Sequence, residues 1–341
     1  MTSSSPAPLR IGVLGAAKIA RAFIAGVRPS RKVVVTAVAS RDVERARTYA
    51  RETGVPQVHA GYDALLADPS IDAVYIPLPN NLHAEWSIRA LEAGKHVLCE
   101  KPLATSGAQA RAMFDAARRN DVRLAEAYPY RAQPQTQKMG ELLRAGAIGR
   151  VQLVHAAFGF PMLDHANIRF DPALAGGALM DAGCYPVSFV RLVAGERPRR
   201  VHAMARWTDS GVDRSLVASL EFANGVLAQM ACSFATARHR HAYIAGDAGT
   251  LATTYLNDTT AALPPVLEWR RGTAPDAACE TISTAPTNGF LAEAESFHDL
   301  VRSGWSQWTG ATPEESIDIA LTLEALAASA REGRAVDVAA D

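Results

Sequence analysis

Lysine is scarce in this chain: of 35 basic residues only Lys18, Lys32, Lys95, Lys101 and Lys138 are lysines, the rest being arginine. Lys101 stands in His96-Val-Leu-Cys-Glu-Lys-Pro-Leu103, directly after an apolar run with the character of a strand. A residue at the carboxyl end of a strand in an open α/β sheet faces the ligand crevice. There an ammonium can donate a hydrogen bond to a substrate oxygen, and burial can bring its pKa down toward the range of proton transfer. Pro102 restricts Lys101 to extended backbone and so sets the direction of its side chain. The alternative is an ordinary loop lysine in solvent.

A second segment has the composition of a phosphate loop. In Ile11-Gly-Val-Leu-Gly-Ala-Ala-Lys-Ile-Ala20 the dinucleotide fingerprint G-x-G-x-x-G/A falls on Gly15, Ala17 and Ala20. Ala17 puts a methyl where the backbone meets a pyrophosphate. The placement between a strand and a helix N-terminus still suits an anion, and Gly15, Ala16, Ala17, Lys18 and Ile19 are the expected contacts. The alternative is a small-residue turn without ligand. The next strand ends Val38-Ala39-Ser40-Arg41. An NAD site places an acid there for the ribose 2′-hydroxyl, whereas Ser40 and Arg41 suit a 2′-phosphate and point to NADP(H) before NAD(H). Asp42 then reads as a helix N-cap, and Arg41 as a solvated loop arginine is the competing view.

These residues need elements to hold them. Apolar runs at Arg10–Leu14, Lys32–Ala39, Val58–His59, Ala73–Ile76, His96–Cys99 and Val122–Ala127 alternate with amphipathic stretches at Ile19–Val27, Val43–Glu52, Tyr62–Ala67, Leu82–Ala93 and Gly107–Arg119. That alternation predicts βαβ units, hence an N-terminal Rossmann domain with a doubly wound parallel sheet over residues 1–127. Beyond it, longer strand-like runs at Val151–Phe160, Arg200–Trp207, Leu216–Phe222, Val226–Phe234 and Ala242–Ile244 predict a C-terminal open, mostly antiparallel sheet domain over residues 128–341, an α+β partner to the α/β domain. Asn224-Gly225 marks a hairpin. One helix, Gly177–Val193, interrupts these strands, and Gly289–Arg302 and Pro313–Arg331 form C-terminal helices. A ligand cleft is expected between the domains.

Composition excludes several classes. The chain has 341 residues, 48% of them hydrophobic, and no net charge, which argues against a disordered protein, a nucleic-acid binder and a polybasic membrane patch. No leader peptide or membrane-crossing apolar run is expected, and the location is expected to be cytoplasmic. The cysteines Cys99, Cys184, Cys232 and Cys279 are too widely spaced for a CxxC motif. His239 and His241 share a strand face, and Asp164/His165 adjoin, but no metal is expected. None of the eight tyrosines has lysine four residues on, which removes the Tyr-x-x-x-Lys dehydrogenases. Trp305 and Trp308 are assigned to packing.

Leu78-Pro-Asn-Asn-Leu-His-Ala84, Ala90-Leu-Glu-Ala-Gly-Lys-His-Val97, Glu100-Lys-Pro102 and Gly176-Gly-Ala-Leu-Met-Asp-Ala-Gly-Cys-Tyr-Pro186 together resemble the glucose–fructose oxidoreductase/inositol dehydrogenase (Gfo/Idh/MocA) family over essentially the whole chain. The resemblance implies a nicotinamide-dependent oxidoreductase of sugars or related polyols. Lys101 would be the catalytic lysine, with Asp181 and Tyr185 as the second-domain pair. Residues i and i+4 share a helical face, so Tyr185 would move the proton while Asp181 holds a second hydroxyl. Pro77, Leu78, Asn80, His83, Glu100 and Lys101 would join the loop residues around the cofactor. Where the family shows Tyr-Arg-x-His-Pro, this chain has Gln133 at the histidine position. Substrates left open are an aldose such as D-xylose, a cyclitol, a nucleotide-linked ketosugar and a trans-dihydrodiol. Arg169 either meets the substrate or pairs with Asp171. The second-domain strands read as an open sheet with one helix-covered face, whose uncovered face with Val217, Leu227 and Phe234 invites self-association; the resemblance implies a homodimer or homotetramer through that face, and the C-terminal helices are expected to pack back on the first domain. A cofactor-binding regulator without turnover is the competing class.

Overall fold

The computed structural model describes residues 7–339. The first domain runs β1 (Leu9–Leu14), α1 (Lys18–Val27), β2 (Val33–Ser40), α2 (Val43–Thr53), β3 (Gln57–Ala60), α3 (Tyr62–Leu66), β4 (Ala73–Ile76), α4 (His83–Glu92), β5 (His96–Glu100), α5 (Gly107–Arg119) and β6 (Leu124–Ala127). The strands form one parallel sheet in the order β3-β2-β1-β4-β5-β6. β4 is buried at every position, as a strand covered by helices on both faces must be. The order reverses between β1 and β4, so the crevice of a doubly wound sheet opens beyond their carboxyl ends.

The second domain adds α6 (Pro134–Arg144), β7 (Val151–Gly159), α7 (Cys184–Ala194), β8 (Pro198–Trp207), β9 (Asp213–Phe222), β10 (Leu227–Ser233), β11 (His239–Gly246), β12 (Gly249–Thr253), β13 (Leu267–Arg271), β14 (Cys279–Thr281), α8 (Gly289–Ser303), α9 (Pro313–Glu332) and β15 (Val336–Asp337). Its strands form a nine-stranded sheet in the order β14-β13-β12-β11-β7-β10-β9-β8-β15, antiparallel except where β10 lies parallel to β7. Asn224-Gly225 turns the β9–β10 hairpin, with Gly225 at φ +89°. The strands β12 to β15 and helix α6 carry no strong local pattern. Each short strand is defined by the neighbour it pairs with, while α6 starts on Pro134, a residue suited to a first helical turn.

One face of this sheet is covered by α7 and α9. The stretch Pro172–Ala194 is long and apolar enough to cross a membrane by length and composition, contrary to the sequence expectation, and two thirds of it is buried within the protein. Its apolar character is that of a central core helix packed under the sheet. The C-terminal helices return to the first domain. Phe290, Ala294, Phe297 and Leu300 of α8 join Phe23 and Val27 of α1 in one core. α9 lies so close to α5 that a Cβ on Gly107 would fall 2.2 Å from Leu321 Cδ2. Thr312 and Glu315 close a capping box at the start of α9.

The opposite face of the second sheet is open. Leu153, Met204, Val217, Leu227 and Tyr243 are its exposed large apolar residues. Phe234, expected among them, is 1% exposed. It follows the end of β10 on the buried side shared by Ala228, Met230 and Cys232, and packs edge-on against Phe170 and beside Phe160. His239 and His241 do lie side by side, ring centres 5.7 Å apart.

Candidate active site

The phosphate loop is built as its sequence requires. Gly15 has φ +114°, a conformation open to glycine, and a Cβ there would lie 3.0 Å from Leu78 Cδ2. Ala17 caps α1 without any side-chain hydrogen bond, so the first helical N–H groups have no side-chain partner. Arg45 donates to the Ala16 carbonyl at 3.2 Å and Tyr49 to the Ala17 carbonyl at 3.0 Å, both from α2. In a trans peptide N–H and C=O point opposite ways, so the N–H groups of Ala17 and Lys18 face away from α2. Ala16 and Ala17 are half-buried, and Lys18 and Ile19 exposed. At the end of β2, Ser40 is buried and Arg41 exposed. Asp42 caps α2 as expected, accepting from the backbone N–H of Glu44 and Arg45. An uncapped helix start, a glycine-led turn and the cations Lys18, Arg41 and Arg45 form a donor set that fits a phosphorylated dinucleotide.

The β4 exit closes the other side. Pro77 and Leu78 are buried, and Asn80 donates to the Ala175 carbonyl at 2.9 Å, tying this loop to the second domain. His83, expected near the cofactor, is held by backbone on both sides. It is 1% exposed, and its two ring nitrogens lie 2.8 Å from the carbonyls of Pro102 and Leu78. It therefore fastens the β4 loop to the Lys101–Pro102 turn, whose peptide bond is cis.

Lys101, Asp181 and Tyr185 converge, though not through an ordinary helix. Leu179–Gly183 is a π-helical turn that precedes α7, so the expected regular i,i+4 face is replaced by a wider turn. Lys101 Nζ donates to the Asp181 carbonyl at 2.8 Å and to Asp181 Oδ1 at 3.1 Å, and Cys184 Sγ also reaches that carbonyl at 3.5 Å. Arg169 Nε donates to Asp181 Oδ2 at 2.6 Å. Arg169 thus pairs with Asp181 rather than Asp171, whose side chain caps the following turn at Ala173 N. Both Asp181 oxygens are engaged by cations, Oδ1 by Lys101 and Oδ2 by Arg169, so Asp181 holds these two side chains in place.

The electrostatics follow from burial and charge. Burial opposes the Lys101 ammonium, yet Asp181 together with Cys184, Tyr185 and Glu100 outweighs it, so the lysine pKa lies above its ordinary value instead of falling. Burial likewise opposes the Asp181 carboxylate, and Lys101 with Arg169 overcomes it, holding the pKa at about 2. For Tyr185 burial wins: its pKa is pushed up to about 12 although Lys101 and Arg240 pull it down. Glu100 is raised by burial, with Tyr75 donating to it at 2.5 Å. The site therefore presents a permanent cation beside a protonated phenol.

The ring of Tyr185 packs edge-on against Tyr128 and Phe158, with Lys101 Nζ 5.0 Å and Arg240 Cζ 3.9 Å from its centre. Its hydroxyl accepts from Asn257 Nδ2 at 2.8 Å. Gln133, 2% exposed, donates to the carbonyls of Asn257 at 3.0 Å and Thr287 at 2.8 Å. Its glutamine thus braces the loop that carries Asn257. Arg240 and Asn257 were not foreseen. Arg240 sits between two histidines in the chain, and Asn257 is a loop residue without a motif.

A parallel Rossmann sheet with a phosphate-binding turn, joined to a sheet domain that delivers an Asp and a Tyr to a lysine at the β5 end, defines an oxidoreductase of the dinucleotide-dependent kind. The sequence profile described as "Oxidoreductase family, NAD-binding Rossmann fold" matches residues 9–128, and that of the family's C-terminal domain matches residues 136–252. The chain belongs to the Gfo/Idh/MocA family. It is 40% identical to a D-xylose 1-dehydrogenase (NADP(+)) 2 of Haloferax volcanii over 339 residues, 97% of this chain and 100% of that one. It is also 40% identical to a dTDP-3,4-didehydro-2,6-dideoxy-alpha-D-glucose 3-reductase of Streptomyces violaceoruber over 302 residues, 86% and 85% of the two chains. Among solved structures, a 3-ketoreductase of Actinomadura kijaniata with NADP and TDP-benzene superimposes with TM-score 0.84 at 33% identity, covering 94% of this chain and 98% of that one.

Proposed function

We propose that the chain is an NADP(H)-dependent oxidoreductase that interconverts a hydroxyl and a carbonyl on a free aldose of the D-xylose kind. The observation that carries this reading is the Lys101 ammonium, bonded to Asp181 at 2.8 and 3.1 Å beside the Tyr185 ring, at the carboxyl end of β5. A bound nicotinamide supplies the two-electron partner. Lys101 donates to the substrate oxygen where negative charge builds up, and Tyr185 gives or takes the proton. The near end-to-end match to a D-xylose 1-dehydrogenase favours the aldose. The equally identical ketosugar reductase supports a second reading, reduction of a nucleotide-linked ketosugar. NADPH absorbance followed with aldoses, cyclitols, nucleotide-linked ketosugars and dihydrodiols separates these. Turnover of D-xylose with NADP supports the first reading. Tight NADPH binding without turnover of any class would favour a cofactor-binding regulator instead.

The preference for NADP(H) rests on Ser40 and exposed Arg41 at the end of β2, where no acid awaits a 2′-hydroxyl. Fluorescence titration is expected to show NADPH bound more tightly than NADH. Arg41→Ala should lose about tenfold in NADPH affinity, the scale of one charge-assisted contact, with NADH unchanged. Equal affinities in the parent protein would sink this preference.

The open sheet face supports self-association. In register across β8, β9, β10, β7 and β11, Met204, Val217, Ala231, Ala157 and His241 form one row, with Leu153 and Leu227 paired farther along. An uncovered apolar strip of this kind is typical of an interface. Light scattering is expected to give a dimer or tetramer, and Val217→Asp to shift it to monomer. A monomer at micromolar concentration in the parent protein would refute the association.

A further inference from the structure

Arg240 is an unusual group to find in a core. It projects from β11, opposite Phe158 of β7, and is 7% exposed. Among the described residues no carboxylate pairs with it, and its Nε and one terminal nitrogen have no hydrogen-bond partner. Its guanidinium lies instead among four rings, 3.9 Å from the centre of Tyr185, 4.7 Å from Tyr255, 4.9 Å from Phe158 and 5.3 Å from Tyr130. Its one polar bond runs from the remaining terminal nitrogen to Asn257 Oδ1 at 3.1 Å. A buried cation without a counter-ion is costly, and cation–π contacts offset only part of that cost.

That single bond orients the neighbouring amide. A guanidinium has donors only, so the side facing it must be the carbonyl oxygen of Asn257. The amide nitrogen therefore faces Tyr185 and donates to its oxygen at 2.8 Å. Tyr185 accepts from Asn257, so its own O–H is directed elsewhere and stays free for exchange with a substrate oxygen. When that proton leaves, the phenolate oxygen keeps the Asn257 bond and has the Arg240 charge behind its ring.

We propose that Arg240 and Asn257 are positioning residues for Tyr185: Arg240 fixes the Asn257 amide, and the pair orients the Tyr185 hydroxyl and stabilises its oxygen as it gives up a proton. This inference rests on the assignment of Tyr185 as the proton-transfer group. The reaction balances as a simple exchange. In oxidation the Tyr185 oxygen takes the substrate hydroxyl proton, and in reduction it returns one to the carbonyl oxygen.

The other ionisable groups facing Tyr185 are Lys101 and Glu100 at the β5 end, Asp181 and Cys184 on its own helical segment, Arg169 from the preceding loop, Tyr75 on β4, and Tyr128 with Tyr130 beyond β6. Of the two residues proposed, neither reaches the Lys101–Asp181 pair by a hydrogen bond, so their effects should be separable from it.

Two measurements test the proposal. The first needs no substrate: a stopped-flow pH jump followed by tyrosinate absorbance, with each protein paired to its own Tyr185→Phe variant so that the difference isolates Tyr185. The parent should ionise near pH 12, and Asn257→Leu and Arg240→Met should do so about one pH unit higher, a tenfold change in the equilibrium. The second is a double-mutant cycle on kcat with NADP and D-xylose. Asn257→Leu should lower kcat about tenfold in the parent, with KM for NADP unchanged, and should add nothing in the Tyr185→Phe background. An unmoved ionisation, or an Asn257→Leu loss that persists without the Tyr185 hydroxyl, overturns the proposal. Should Arg240→Met not fold, the Asn257→Leu arm decides alone. Full activity in Tyr185→Phe by itself would instead bring down the assignment of Tyr185, and this proposal with it.

Discussion

Lys101→Ala and Tyr185→Phe are each expected to lower kcat about 100-fold or more, while NADP(H) affinity stays within about twofold, the loss being that of general acid–base and electrostatic catalysis. For Lys101 the reason is its fixed charge. Asp181 keeps the ammonium protonated throughout the working range, so the side chain works as a donor and a cation rather than as a base. Lys101→Arg should not rescue, because a planar fork cannot meet the Asp181 carbonyl and a substrate oxygen in the way a compact ammonium does. For Tyr185 the reason is the proton. With a pKa near 12 its hydroxyl is protonated at neutral pH, ready as an acid for carbonyl reduction. In oxidation it must first lose that proton, so the oxidation rate should climb with pH, about tenfold per unit while chemistry limits, and level off above the tyrosine pKa. No acidic limb from Asp181 should appear near pH 5, since its pKa is held at about 2. Initial rates of NADP reduction between pH 6 and about pH 10 check the slope. Near-parental turnover in Tyr185→Phe would transfer the proton to another group and end this mechanism.

Arg131→Met is expected to destabilise the fold by about 3–5 kcal/mol, the range for breaking a buried ion pair by removing one partner. Arg131 is 2% exposed and joins three parts of the molecule. One terminal nitrogen meets Glu315 Oε2 of α9 at 2.9 Å, Nε meets Ser188 Oγ at 3.1 Å, and the other terminal nitrogen meets the Ser188 carbonyl of α7 at 3.0 Å. Methionine fills similar space but leaves the Glu315 carboxylate without its cation, holding only the Thr312 N–H, and removes the Arg131 donors from Ser188 Oγ and its carbonyl. Glu315→Gln keeps the shape and should cost less than Arg131→Met. The midpoints of urea unfolding measure both. A loss below about 1 kcal/mol for Arg131→Met would place Arg131 among the ion pairs that contribute nothing net.

The first domain was legible because each of its elements carries its own signal. The six apolar runs became β1 to β6 within a few residues, and Asp42, read as an N-cap, accepts the two bonds expected of one. Gly15 could be placed because only a glycine-led turn lets strand and helix meet there. The second domain was legible as a sheet but not in its order. Nothing in Leu227–Ser233 announces that it lies parallel to β7 while remaining a hairpin partner of β9. The helix of Asp181 and Tyr185 was foreseen, but not its π-helical start, because no local residue pattern distinguishes a π turn from an α turn. Phe234 was misplaced because it shares the parity of Ala228, Met230 and Cys232 on the buried side of β10, not that of Leu227 on the open side.

The amino-acid sequence by itself determined the Rossmann alternation, the phosphate turn, the place of Lys101 at a strand end and the family to which the chain belongs. These rest on neighbours in the chain, where backbone sterics, hydrophobic period and residue type act over a few positions. Only the tertiary structure decided how the site is charged. Lys101 finds Asp181 80 residues away, and Asn257 finds Tyr185 72 residues away. Burial alone would have lowered the lysine and raised the aspartate. Their short separation, with Arg169 beside Asp181 and further anionic groups beside Lys101, reversed both, while Tyr185, with cations only beside its ring, kept the raised pKa that burial imposes. Desolvation and Coulomb energy depend on depth and separation in space, and those are fixed only once the two sheets, α7 and the C-terminal helices have packed together.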